Sequence, residues 1–107
     1  MPITQPTFSP SDVNISGATN SKITNLALAV AGTEYSLPLQ TNLKQLMIKS
    51  RGNGVLKIAF TALDTSIKYI TIYKGAVLTI DNLTFTGVTL YIQSSVNNDV
   101  AEILELY

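Results

Sequence analysis

The sequence contains no cysteine, no histidine and no tryptophan. Without cysteine there is no disulfide, no thiol nucleophile and no thiolate metal or iron–sulfur site, so the fold must hold by its core alone. Without histidine the commonest general base and zinc ligand are missing, and with them any Ser-His-Asp triad. Charge is scarce as well. Charged residues make up 13% of the chain, against roughly 25% in ordinary soluble domains, which leaves Thr, Ser and Asn to cover most of the surface. Seven basic and seven acidic residues cancel to a net charge of zero, so no overall field draws the chain to nucleic acid or anionic lipid. A near-neutral surface favours self-association and packing against other proteins instead. No stretch approaches the ~18 apolar residues of a membrane span. The first residues have neither the basic start nor the apolar run of a secretory signal. The expectation is a protein made in the cytoplasm that stays soluble until it meets its partner.

What is present is a chain of 107 residues, 46% of them hydrophobic, with room for one domain and one core. Residues 1–22 stand apart. Pro2, Pro6 and Pro10 keep the backbone extended and deny it hydrogen-bond donors, and Ile3, Phe8, Val13 and Ile15 follow neither a helical nor a strand period. This segment reads as an extended N-terminal arm, followed by a β domain over residues 23–107.

From residue 23 onward, short apolar runs alternate with polar residues and stop at turn residues, the signature of an all-β sandwich or barrel. The runs centre on Leu26–Val30, Tyr35–Leu39, Leu46–Ile48, Leu56–Phe60, residues 68–73, 77–80, 88–93 and 100–106, about eight strands of the usual length. Pro38 places the second run on an edge or in a bend. Asn53-Gly54 predicts a type I′ hairpin, which needs positive φ at both central residues, so the fourth run is expected to pair with the third. Residues 100–106 are apolar at both parities and are expected to be covered on both faces.

The carboxylates offer little chemistry. Glu102 and Glu105 have opposite parity on a strand and point to opposite faces, so they cannot act as a pair. Asp64, Asp81 and Asp99 all sit in turn contexts, where Asp bonds local backbone. Lys44, Lys49, Arg51 and Lys57 lie between Glu34 and Asp64 with no acid among them, while acids gather toward the end. These charges could simply solvate exposed edges. Alternatively, Lys44, Lys49, Arg51 and Lys57 on one subunit could face Glu102 and Glu105 on the next. No aromatic residue falls between Lys44 and Lys57 to stack bases, which argues against nucleic acid. Tyr69, Tyr73 and Tyr91 could line a groove for a glycan.

The succession Leu37-Pro38, Lys44-Gln45-Leu46-Met47-Ile48-Lys49-Ser50-Arg51-Gly52 and Leu56-Lys57-Ile58-Ala59-Phe60 resembles small virion proteins of tailed bacteriophages. Tyr69-Ile70-Thr71-Ile72, Leu90-Tyr91-Ile92-Gln93-Ser94 and Val100-Ala101-Glu102-Ile103 continue the likeness over roughly residues 33–107. The resemblance implies an antiparallel, jelly-roll-like sandwich serving as a capsid decoration (cement) protein, or as an adaptor at the head–tail connector or fibre base. It supplies no catalytic, cofactor or metal residues. The chain is therefore expected to be a non-enzymatic virion component without cofactors. It would act as a homo-oligomer on other virion proteins, with no nucleic-acid or membrane partner. An arm suits such a part because each residue spans up to about 3.3 Å when stretched, and Ile3, Phe8, Val13 and Ile15 are its candidate anchors. The alternative function is a carbohydrate-binding β-sandwich module.

Overall fold

Period-two alternation places every second side chain of a strand on one face, so a chain of short alternating strands buries its apolar set by closing two sheets over one another. The computed structural model, which describes residues 17–83 and 86–107, has this form. Its strands are β1 (Ser21–Leu28), β2 (Tyr35–Pro38), β3 (Gln45–Ser50), β4 (Leu56–Ala59), β5 (Ile70–Ile72), β6 (Val77–Ile80), β7 (Thr89–Ser94) and β8 (Asp99–Leu106). One turn of 3₁₀ helix, Asp64–Ser66, lies between β4 and β5. The first sheet has the order β1-β8-β3-β6 and the second β2-β7-β4-β5, with all pairs antiparallel. Every connection except β4 to β5 passes from one sheet to the other. This is the jelly-roll arrangement of an eight-stranded double sheet.

The core lies between the sheets. Leu46 and Ile48 of β3 and Ala101 and Ile103 of β8 meet Leu56 and Ile58 of β4 and Leu90 and Ile92 of β7, all of them fully buried. β2, with Pro38, is an edge strand as its proline requires. β8 is central in its sheet, and its inward positions are Asp99, Ala101, Ile103 and Glu105. Val100, Glu102 and Leu104, on its outer face, remain half-buried.

The structure corrects two expectations. The arm was bounded at residue 22, but β1 begins at Ser21 and pairs with β8 from Ser21↔Leu106 to Leu28↔Asp99. Thr19 and Asn20 already donate to the Tyr107 carbonyl at 3.1 and 2.8 Å, and Ala18 is buried. Residues 17–22 therefore belong to the sandwich.

The second correction concerns Asn53-Gly54. β3 and β4 lie in different sheets, and neither Asn53 nor Gly54 has positive φ. The loop is a crossing between sheets, and it passes directly over the Asp99 carboxylate. Gly52 N–H donates to Asp99 Oδ1 at 3.3 Å. A Cβ on Gly54 would fall well inside van der Waals contact with Asp99 Oδ2 and Ser94 Oγ. Glycine is required here for close approach and not for its backbone freedom. Gly54→Ala should therefore cost about 1–3 kcal/mol through overpacking, while Asn53→Ala on the exposed tip should change stability by less than about 0.5 kcal/mol. Urea unfolding of the two variants checks this, since a type I′ hairpin would make both substitutions costly.

Candidate functional site

The structure gathers some of the candidate charges, but within one subunit. Lys49 and Glu102 are cross-strand partners on the outer face of the first sheet, with Lys49 Nζ 3.3 Å from Glu102 Oε1 and Arg51 Nε 3.2 Å from Oε2. The Arg51 hydrogen bond, with help from Lys49, holds the Glu102 carboxyl below its ordinary value. Glu105 points the opposite way, as parity demands, and is fully buried. Its Oε2 accepts the Gln40 N–H at 2.7 Å, while its Oε1 has no hydrogen-bond partner. Glu105 is thus removed from the set of interface charges, because its parity on β8 sends it into the sandwich. Lys57 Nζ of β4 lies 4.7 Å from the ring centroid of Tyr69, just before β5, a cation–π contact within one subunit. Lys44 is half-buried, and its backbone N–H donates to the Leu106 carbonyl. Ile3, Phe8, Val13 and Ile15 lie outside the described residues.

The turn aspartates bond locally or structurally. Asp81 accepts from Gln45 Nε2, and the Asp64 carbonyl closes the 3₁₀ turn by accepting from Ile67 N–H and Lys68 N–H. Asp99, only 3% exposed, is the exception in reach. It accepts from Ser50 Oγ of β3, 2.8 Å from both of its oxygens, and from Ser94 Oγ of β7 at 2.6 Å. Gly52 N–H and Val100 N–H complete its shell. Burial pushes its carboxyl up, but the hydrogen bonds from Ser94, Ser50, Val100 and Gly52 together outweigh that and hold it below the ordinary Asp value. Among the described residues, no group of three or more Asp or Glu side chains converges as a metal site would need.

The feature that sequence reasoning missed lies between β4 and β5. This segment folds back over the outer face of the second sheet and is fixed there through Thr65, which is 1% exposed. Gln93 Nε2, on the outward side of β7, donates to the Thr65 carbonyl and hydroxyl at 3.1 and 2.9 Å. Glu34 grips the same turn from the other side, accepting from Thr65 Oγ1 at 2.6 Å and from Leu63 N–H at 2.9 Å. Desolvation raises the Glu34 carboxyl, but the bonds from Thr65 and Leu63 outweigh it and the net shift is downward.

The turn so fixed displays apolar side chains instead of hiding them. Leu63 and Ile67 are exposed by 74 and 69%, and beyond the turn Tyr69, Ile70 and Tyr73, on and beside β5, are exposed by 42, 48 and 68%. Leu63 also has φ of +71°, a left-handed conformation that a bulky non-glycine residue adopts only when its surroundings impose it. Here the Glu34–Leu63 hydrogen bond does so. A signal for this was present in the sequence, since Leu63 and Ile67 flank a polar turn at Asp64-Thr65-Ser66 where no strand face exists to bury them. Of the candidate sugar-stacking residues, Tyr73 is open, Tyr69 carries Lys57 on one face and Tyr91 is half-buried.

No family model matches this sequence, and no curated protein matches it. Among solved structures, the chain is similar to a de novo designed double-stranded beta-helix determined by solution NMR. The TM-score is 0.52 at 10% identity, over 82% of this chain and 99% of that one. At that identity the likeness describes the fold alone.

Of the three lowered carboxylates, Asp99 and Glu34 differ most in what their titration should affect. Asp99 has a folded pKa below its unfolded one, so its stabilisation is complete above the ordinary Asp range, ~4, and is lost as the pH falls through the folded value. Asp99→Asn should cost about 2–3 kcal/mol at pH 7, because the amide nitrogen cannot accept the serine and backbone donors. It should also flatten the acid limb of a thermal-stability profile. Glu34→Gln should leave global stability nearly unchanged but speed amide exchange at Leu63 and Thr65 measured by NMR. In the wild-type protein the same loosening should appear on acidification.

Proposed function

We propose that this protein is a structural component of a bacteriophage particle, acting by protein–protein assembly as a capsid decoration protein or at the head–tail connector or fibre base. In this reading the N-terminal arm clamps a neighbouring subunit, the protein is a homo-oligomer within the virion, and it carries no catalytic, cofactor, nucleic-acid or membrane function. The observation that carries it is the apolar surface of residues 63–73. Leu63 and Ile67 stand exposed on a turn that Glu34 and Gln93 fix through Thr65, and Tyr69, Ile70 and Tyr73 stand exposed along the β5 stretch that follows it. Exposed apolar side chains on ordered backbone mark interaction sites, and aromatic residues are enriched at interface centres. The low overall charge and the sequence resemblance support the same reading.

The second reading, a carbohydrate-binding module, has the open ring of Tyr73 in its favour. Its other two tyrosines do not offer a comparable face.

Ile67→Lys with Tyr73→Lys tests the proposal. Both positions are exposed, so the fold should survive with a change under about 0.5 kcal/mol each. Incorporation into particles, and self-association followed by sedimentation velocity, should be lost. Wild-type assembly by the double variant would sink the proposal, and a specific hit on a glycan array would favour the second reading.

A further inference from the structure

The face of the sandwich opposite the 63–73 segment carries a second apolar surface. On the outer side of the first sheet, Ile23 of β1, Leu104 of β8 and Met47 of β3 form one cross-strand row. Val77 of β6 stands beside Lys49 in the next row. Together they line a groove of about 240 Å³. At about 30 Å³ per water in the bulk liquid, that is room for a large apolar side chain. Ile23 and Val77 are 71 and 49% exposed, and the Lys49–Glu102 pair borders the groove.

We propose that this groove receives an apolar side chain from residues 1–16 of a second copy of the chain. The inference rests on the arm-clamping reading above and names the surface that is clamped. Those residues supply the occupant's chemistry. Ile3, Phe8, Val13 and Ile15 are apolar, and Asp12 is the segment's one charged side chain. The groove's border presents two cations, Lys49 and Arg51, to the single acid Glu102, so the residual charge there complements Asp12.

Geometry favours a neighbour's segment over the chain's own. Thr19 and Asn20 continue the line of β1 past Tyr107, so the chain leaves the sheet heading away from the groove. To return, it would have to reverse at Gly17. A neighbouring copy's groove is reached without that reversal.

The absence of cysteine provides a clean test on the full chain. A nitroxide attached at Ser9→Cys, on unlabelled protein, is mixed with ¹⁵N-labelled protein that carries no nitroxide. Amide signals of Met47, Val77 and Leu104 should lose at least half their intensity, a result that needs no change in the groove. In parallel, Ile23→Glu/Val77→Glu and Phe8→Ser/Val13→Ser should each weaken self-association at least tenfold by sedimentation. Broadening seen only when nitroxide and ¹⁵N share a chain would overturn the proposal in favour of self-docking. Weakened association with the Phe8/Val13 variant but not the Ile23/Val77 variant would overturn the groove while leaving the clamp standing. No effect from either variant would overturn both.

Discussion

A carboxylate with almost no solvent, Asp99, joins two sheets whose facing strands meet mainly through apolar contact. Its acceptor oxygens take a hydroxyl from β3 in the first sheet and one from β7 in the second, together with the backbone of the loop that carries the chain between β3 and β4. Other crossings converge on the same end. Gly32 N–H donates to the Ser94 carbonyl, Asn98 N–H to the Ala29 carbonyl, and Ser95 N–H to the Val55 carbonyl. A jelly roll has little local pairing to set its register, because almost every strand is followed by one in the other sheet. A directional hydrogen-bonded hub fixes the relative position of the sheets in a way that non-directional apolar burial cannot. Leaving such acceptors buried and unpaired would be expensive, so the hub specifies one alignment over its neighbours.

The strands themselves were legible because alternation is a local property. Leu46 and Ile48, Leu56 and Ile58, and Leu90 and Ile92 announce their inward faces in sequence order, and each of the eight expected runs overlaps an observed strand. Their partners were not legible, because pairing in this topology is non-local. Asn53-Gly54 shows why: the dipeptide's turn preference is real, but the space left by Asp99 decides the backbone at that loop. The start of β1 was missed for a related reason. Ser21, Lys22 and Ile23 are all exposed, so no alternation marks them, and only pairing with β8 makes them a strand. On β8 the opposite orientation of Glu102 and Glu105 followed from parity. Which of the two turned inward did not, because apolar residues occupy both parities.

The candidate surfaces divide along the same line. Tyr69 and Tyr73 stood out in the sequence, whereas Leu63 and Ile67 looked like parts of an ordinary polar turn. Their exposure comes from Glu34, 31 residues before Thr65, and from Gln93, 28 residues after it. The grip is tertiary, so no local window contains it. The result is a sandwich with an apolar surface on each broad face.

The pairing of β1 with β8 has a mechanical consequence. Ser21 lies opposite Leu106, so the two chain ends of the sandwich leave from the same end of one antiparallel ladder. A pull that separates residue 17 from residue 107 loads the hydrogen bonds of that ladder one after another, and the strands open like a zipper. A pull between residue 17 and the Asp99 end runs along the strands, and many bonds share the load at once. The domain is therefore anisotropic under tension, yielding most readily where its first strand meets its last.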